Sequence, residues 1–351
     1  MVISVNKIGS KQTVYERLMI ERFEPHLSGI EFAIKRSAHG LSITLPAFLI
    51  GDKKSFLAKL SQSLGLREEE IDIKTSMKVH QTQLVDHSAT HATNVIAIAS
   101  GKGGVGKSTV AVQLAHALTR LGAKVGLIDA DIYGPSIPRM MGKSVECHPH
   151  EPVECHGVVC HSIGWLIDKT EPTIWRGPIV SRVLMDLFQK TRWPELDFLL
   201  VDLPPGTGDI QLTMAQKMPI SGAVIVSTPQ QISIDDAVKA KNMFEKVGIS
   251  NLGWVCNMAG FVCPCCQTET NVFSPSLSET GLALNCLGSI PLDPNICYAA
   301  DGGLLHTLDE RLQKRYMTVA QEMQKELIRK PMLEAKQCWP KVEMKTHEKE
   351  K

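Results

Sequence analysis

Hydrophobic and polar positions follow one rhythm up to residue 77 and another from Asn94 onward. In the first stretch Tyr15, Leu18, Met19 and Phe23 recur at steps of three and four, the spacing of one helix face. Ile30, Phe32 and Ile34, then Leu41, Ile43 and Leu45, alternate on either side of His39-Gly40, which predicts two strands around a turn. Phe56, Leu57, Leu60 and Leu64 mark a second helix, and Ile71 with Ile73 a third strand. The order α-β-β-α-β predicts a small α+β domain over residues 1–77. Residues 78–93 then turn polar and read as a linker, with His80, His87 and His91 as solvated linker histidines.

From Asn94 the apolar residues gather into short, nearly continuous runs separated by helical stretches: Val95 to Ala99, Val125 to Ile128, Phe198 to Val201, Ala223 to Val226 and Leu252 to Val255. Such runs fit parallel strands covered on both faces, so residues 94–330 are expected to form one α/β domain with a doubly wound, mostly parallel sheet. Leu305, Leu308, Leu312, Tyr316, Val319, Met323 and Leu327 predict a closing amphipathic helix. Residues 331–351 are charged and expected to be a disordered tail.

Composition narrows the partners. With 38 Lys+Arg against 37 Asp+Glu the formal charge is +1, which gives no global field toward nucleic acid or anionic lipid. The first twenty residues contain Lys7, Lys11, Glu16 and Arg17 and do not read as a signal peptide. No apolar run approaches the roughly 18 residues of a membrane span. Ten cysteines without a secretion signal point to a reducing compartment, and the expected location is the cytoplasm. Neither a nucleic acid nor a membrane is expected as a partner.

The candidate chemistry begins at Gly101-Lys-Gly-Gly-Val-Gly-Lys-Ser108, a GxxxxGKS phosphate loop between a strand and a helix. Gly101, Gly103, Gly104 and Gly106 allow the backbone to curl so that successive N–H groups, Val105 included, face phosphate oxygens. Lys107 is expected to reach the β and γ phosphates and Ser108 to ligate Mg²⁺, with Thr109 beside them in the nucleotide site. Lys102 is a second lysine, directly after the first glycine. Asp129-Ala-Asp131 and Asp202-Leu-Pro-Pro-Gly-Thr-Gly-Asp209 follow predicted strands, at the end of the sheet where doubly wound folds bind ligands. Carboxylates there can hold Mg²⁺ or orient an attacking water.

A second candidate site is Cys263-Pro-Cys-Cys266, in a loop after the strand at Leu252 to Val255. Two thiolates are half of the about four ligands that zinc or an iron–sulfur centre takes, and a twofold dimer would supply the other half. Thiol–disulfide exchange and inert thiols are the alternatives, and Cys265 is a spectator, a spare ligand or half of a redox pair. Cys147, Cys155 and Cys160, each next to a histidine, match no compact zinc spacing and are expected to be structural, with residues 153–163 as a hairpin. Cys256, Cys286 and Cys297 are expected in the core, and Cys338 stands alone in the tail.

Taken together, these motifs resemble the Mrp/ApbC family of iron–sulfur cluster carrier ATPases, in the deviant phosphate-loop group with MinD, ParA and the nitrogenase iron protein. The resemblance also rests on Asp129-Ala-Asp-Ile-Tyr-Gly-Pro-Ser136, Trp175-Arg-Gly-Pro178, Ile210-Gln211, Thr228-Pro-Gln230, Asn257-Met258 and Ile290-Pro-Leu-Asp293. It implies a P-loop NTPase that binds and hydrolyses ATP with Mg²⁺. It implies that Lys102 reaches the partner subunit's nucleotide, that Asp131 positions the hydrolytic water, and that Asp202 helps hold Mg²⁺. It further implies that Asn257 lies at the adenine and that Cys263 with Cys266 holds a [4Fe-4S] cluster shared in a homodimer. Partners would be recipient apoproteins and an upstream source of cluster or iron. Where the family's N-terminal domain usually carries a cysteine loop, this chain has Leu45-Pro-Ala-Phe-Leu-Ile50, which argues against cluster handling there. Alternatives of other classes are a MinD/ParA-like positioning ATPase, an iron-protein-like electron donor and a structural zinc site.

Overall fold

The computed structural model describes residues 11–37, 40–84, 91–132, 134–143, 148–166, 177–263, 265–266, 268–271, 273 and 282–331. Cys147, Trp175, Arg176, Cys338, His39, His87 and the segment 332–351, all singled out by the sequence, lie outside these residues.

A three-stranded sheet comes first. Helix α1 (Lys11–Phe23) precedes β1 (Ala33–Ser37), β2 (Gly40–Leu45), α2 (Lys53–Leu64) and β3 (Ile71–Thr75), in the order read from the sequence. β2 pairs antiparallel with β1 and parallel with β3, and α2 supplies the crossover between the parallel pair. Asp52 caps α2 by accepting from Ser55 N at 3.0 Å, and Gly65, in the left-handed region, ends it. Ile20, Leu41, Ile43, Leu45, Phe56 and Leu60 bury their side chains in this core. Ile30 and Phe32, read as strand positions, precede β1 and pack in a turn against the same core.

The second sheet has nine strands. In chain order its elements are β4 (Ala92–Ala99), α3 (Lys107–Arg120), β5 (Val125–Asp129), α4 (Ile137–Met140), β6 (Val153–Cys155), β7 (Val158–Ser162), α5 (Gly177–Lys190) and β8 (Leu196–Asp202). There follow α6 (Asp209–Lys217), β9 (Gly222–Ser227), α7 (Gln231–Lys246), β10 (Asn251–Val262), β11 (Glu269–Thr270), β12 (Cys286–Leu292), α8 (Pro294–Gly302) and α9 (Glu310–Ile328). Across the sheet the order is β6-β7-β5-β8-β4-β9-β10-β12, with β11 paired to the far end of β10. Only β6 and β11 run antiparallel; β7, β5, β8, β4, β9, β10 and β12 are parallel.

Continuous apolar runs form the central strands because both faces are covered. Along β4, Ile96 and Ile98 pack with Val110, Leu114 and Leu118 of α3, while Val95 and Ala97 pack with Phe188 of α5 and Phe244 of α7. Every residue of β5 and β9 is buried. The hairpin expected over residues 153–163 is formed by β6 and β7, and β7 also adds to the parallel sheet beside β5.

The polar segment after β3 is packed. His80 is buried, its backbone N–H donates to Asn94 Oδ1 at 3.1 Å, and burial holds its imidazole below the usual histidine range. That corrects the expectation of a solvated histidine there. The Gln83 amide donates to Ala215 O and Met218 O and accepts from Ile220 N, so hydrogen bonding rather than hydrophobicity seats this stretch.

Helix α9 joins the two cores. One side of it packs with α3 through Leu312, Tyr316, Val319 and Met323. On another, Gln324 Oε1 accepts from Phe48 N at 2.9 Å, Gln324 Nε2 donates to Phe48 O at 2.7 Å, and Gln321 Nε2 donates to Leu49 O at 2.6 Å. Both glutamines are buried. The Leu45–Ile50 segment is thus a docking strip against α9.

Candidate nucleotide site and cysteine hairpin

The chain leaves β4, passes along α3 and returns in β5 two strands away, with β8 between them. The carboxyl ends of these three neighbouring strands converge, and each supplies part of the site. Ser100 follows β4 and opens the phosphate loop; Asp202 ends β8; Asp129 ends β5, in register opposite Asp202.

Residues 102–109, Ser100, Asp131, Ser136, Met140 and Pro205 line a cleft of about 190 Å³. Gly106 caps α3 with φ +81°, and a Cβ there would stand 2.2 Å from Asn257 Nδ2, so both backbone conformation and space require glycine. A Cβ on Gly101 would stand 2.1 Å from the Asp236 carbonyl carbon in α7. Asn257 Nδ2 donates to Val105 O at 2.8 Å, which turns that carbonyl toward β10 and out of the cleft.

Lys107 is the charge centre. Its side chain is only 5% exposed; Nζ lies 2.6 Å from Asp202 Oδ1, 3.8 Å from Asp131 Oδ2 and 3.4 Å from Ser108 Oγ. Asp202 is fully buried and its Oδ2 has no hydrogen-bond partner. A buried carboxylate oxygen left unpaired is costly, and with Ser108 Oγ near the same Lys107 Nζ the donor set fits a divalent cation held by these two groups. Asp129, also fully buried, accepts from Ser162 Oγ at 2.9 Å, Ile137 N at 3.2 Å and Asp131 N at 3.2 Å. Burial first, and the neighbouring Asp202 charge second, raise its carboxyl from 3.8 to about 7. Lys102 borders the same cleft and makes no ion pair among the described residues.

Pro204 and Pro205, which have no N–H to donate, are held through their carbonyls. Gln211 Nε2 donates to Pro204 O at 3.2 Å and also to Pro205 O, and Gly206 N donates to Ser100 O at 2.9 Å. Sequence reasoning gave neither Gln211 nor Ser162 a role. Gln211 stood inside the Asp202 motif, whereas nothing near Ser162 announced its contact with Asp129.

The thiols lie elsewhere. β10 runs past the expected end at Val255 to Val262, and Cys263, Cys265 and Cys266 fall between β10 and β11. Cys263 N donates to Thr268 O at 3.0 Å, closing the hairpin. Cys263 is half-buried; Cys265 and Cys266 are exposed. The Cys266 thiol lies 3.3 Å from Thr268 Oγ1, and hydrogen bonds from Thr268, then from Cys263, hold it below the usual thiol range. None of the three lines the nucleotide cleft.

The other cysteines divide. Cys155, Cys160 and Cys256 are buried, and burial pushes the Cys256 thiol up to about 12. Cys286 and Cys297, expected in the core, are exposed: the first begins edge strand β12 and the second faces outward from α8. No group of three metal-ligating side chains occurs among the described residues. A histidine cluster that the sequence did not announce joins α3, the β6–β7 turn and the turn before α9. His156 stacks on His306 with centroids 3.6 Å apart, and His116 lies 6.2 Å from His306. Burial is the main cause that lowers His116 to about 4. No helix among the described residues is long and apolar enough to cross a membrane.

Comparison with known proteins agrees with the fold. Residues 91–327 match the ParA family model for NUBPL iron-transfer P-loop NTPases. The iron-sulfur cluster carrier protein of Pseudomonas fragi is 44% identical over 249 residues, 68% of this chain and 87% of that one. The Escherichia coli K12 protein of the same name is 47% identical over 220 residues, 60% of this chain and 59% of the relative. Mouse iron-sulfur cluster transfer protein NUBPL is 48% identical over 220 residues, 60% of this chain and 69% of the relative. Among solved structures, an Archaeoglobus fulgidus nucleotide-binding protein in complex with ADP superposes with TM-score 0.53 at 37% identity, over 62% of this chain and 88% of that one. Pyrococcus furiosus MinD shares the fold, with TM-score 0.51 at 22% identity over 66% of this chain and 98% of that one. With two thirds of its length inside the family model, the chain belongs to the ParA-type P-loop NTPases of the iron-transfer group.

Proposed function

We propose that this protein is a homodimeric ATPase that carries an iron–sulfur cluster, a [4Fe-4S] cluster on our reading, and delivers it to apoproteins. The observation that carries the reading is the joint presence of two sites in one sheet: a phosphate loop with buried Lys107 and Asp202, and an exposed thiol hairpin at the end of β10.

In the nucleotide site, loop N–H groups bind phosphate oxygens, and Lys107 leaves Asp202 to contact the β and γ phosphates. Ser108 and Asp202 hold Mg²⁺, which neutralises charge on the phosphates when bound. Asp131, already 3.8 Å from Lys107 Nζ, is close enough to orient water toward the terminal phosphate. Lys102 completes the partner subunit's site with a second cation. Asn257 lies toward the base and braces Val105 from behind.

The cluster is cargo. Cys263 and Cys266 supply two thiolates per subunit, and two subunits supply four. A lowered Cys266 pKa favours the ligating form, and an exposed hairpin tip allows the cargo to leave. A cluster held half by each subunit is released when the dimer interface moves. Recipient apoproteins and an upstream source of cluster or iron are the partners.

Anaerobic reconstitution with ferrous iron and sulfide tests the reading. Wild type is expected to bind iron and sulfide and to activate an apo-[4Fe-4S] enzyme, and Cys263→Ala/Cys266→Ala to lose both while still binding ADP. Unchanged iron content and transfer in the double variant would sink it. Zinc instead of iron in anaerobically purified wild type would replace it with a structural metal site.

A further inference from the structure

The nucleotide loop and the thiol hairpin are joined by one strand, and that strand is irregular at the joint. Asn257 and Met258 of β10 both lie toward the phosphate loop: Asn257 Nδ2 bonds Val105 O, and Met258 Cε is 3.7 Å from where a Cβ on Gly106 would stand. Met258 has φ +56°, a left-handed conformation that side-chain-bearing residues rarely adopt inside a strand. The pairing with β12 slips at the same place. Asn257 pairs with Ile290 and Phe261 with Leu292, so four steps along β10 oppose two along β12. Beyond this bulge β10 continues as one arm of the hairpin, directly to Cys263. The other arm is anchored separately, by Arg315 of α9 to Glu269 of β11 at 2.8 Å.

A residue in a sparsely populated conformation persists because its surroundings over-determine it, and here the surroundings are the phosphate loop. A bulge leaves the register of a strand locally unpaired, and a slip of one residue there turns the downstream side chains onto the other face. These are the requirements for a coupling element: a local structure with two discrete states, one of whose contacts is made by the ligand-binding loop.

We propose that the Asn257–Met258 bulge couples nucleotide occupancy of the phosphate loop to the setting of the Cys263–Cys266 hairpin, with Met258 as the positioning residue. Phosphate binding moves Val105 and Gly106, the contacts of Asn257 and Met258 move with them, and the arm of β10 that ends at Cys263 is re-aimed. The inference rests on the nucleotide and thiol roles proposed above but needs no bound cluster for its test.

The apo-protein is alkylated with N-ethylmaleimide, alone and with ADP–Mg²⁺ or ATPγS–Mg²⁺. Rates at Cys265 and Cys266 are read by peptide mass spectrometry, with exposed Cys297 on α8 as internal reference, and ADP affinity is measured alongside. In wild type, nucleotide is expected to change the hairpin rates at least ~5-fold relative to Cys297, the lower end of typical coupling between sites. Met258→Gly, which adopts φ +56° freely and lacks the contact with the loop, is expected to bind ADP within about twofold of wild type. Its nucleotide effect should fall below about twofold. Met258→Leu, which keeps the bulk, should retain the wild-type effect. Equal nucleotide effects in wild type and Met258→Gly overturn the proposal, as do equal alkylation rates with and without nucleotide in a wild type that binds ADP. If the thiols respond to nucleotide but bind no iron, the carrier function falls and the coupling stands.

Discussion

Lys107→Met removes one cation from a site that holds three aspartates, and its effect can be worked from the burial of the groups left behind. In the native protein Lys107 Nζ is 2.6 Å from Asp202 Oδ1, and Asp202 and Asp129 are completely buried on adjacent strands. Methionine keeps the length of the stem but leaves two neighbouring carboxyls with no countercharge. Removing one partner of a buried pair costs about 3–5 kcal/mol. For a domain of this size that is a fall in Tm of about 6 to 20 °C. The loss must also depend on pH. Asp129 already sits at about 7, above its value of 3.8 in the unfolded chain, so its contribution to stability is complete below about pH 4 and declines as pH rises through 7. The Lys107 charge lowers the Asp129 pKa, so without it Asp129 holds its proton more tightly, and each further unit of pKa returns about 1.4 kcal/mol on acidification. Nucleotide-free wild type and Lys107→Met are compared by denaturant unfolding at pH 8 and pH 5.5. For a rise of one pKa unit the destabilisation at pH 8 should exceed that at pH 5.5 by about 1 kcal/mol, because pH 8 lies at the shifted value rather than above it. A loss below about 1 kcal/mol at pH 8, or equal losses at both pH values, would refute the idea that Lys107 is the countercharge of this carboxylate pair.

Two further changes probe other parts of the molecule. Lys102→Ala should bind ADP within a few-fold of wild type and lose at least ~10-fold in ATP turnover, as expected for a cation supplied to a partner's phosphates; turnover at the wild-type rate would exclude that role. Gln324→Leu removes the partners of Phe48 N and Phe48 O, which should cost about 1–3 kcal/mol and speed hydrogen exchange at the Phe48 amide. Unchanged exchange there would show that the glutamine does not hold the docking strip.

Much of the fold is legible in the sequence because burial on both faces of a parallel sheet leaves a direct mark. The runs at Val95, Val125, Phe198, Ala223 and Leu252 all fall in β4, β5, β8, β9 and β10. β12 escapes such a reading for the converse reason: Gly288, Ser289 and Pro291 interrupt its apolar residues, and it lies at an edge. The nucleotide residues are readable because a phosphate loop is a local motif, and the structure gathers residues 102–109, Asp131 and Asp202 around Lys107. What the sequence hides is nonlocal. His116, His156 and His306 meet from three elements, and Ser162 reaches Asp129 across a strand pair. The buried bonds of Gln321 and Gln324 occupy helix positions that an amphipathic pattern counts only as polar. His80 reads as solvated because its neighbours are polar, yet they are polar in order to bond backbone.

Helix α9 has a bearing on the order in which the protein can become competent during synthesis. It packs on α3, β10 and β12, and the strip at Phe48 and Leu49 docks against it as well. β10, which carries the thiols, is itself an edge until Cys286–Leu292 emerges as β12. A growing chain therefore holds its phosphate loop and its cysteines long before either is braced. Domains fold as units once their sequence is available, so both sites should be completed together, once α9 has emerged.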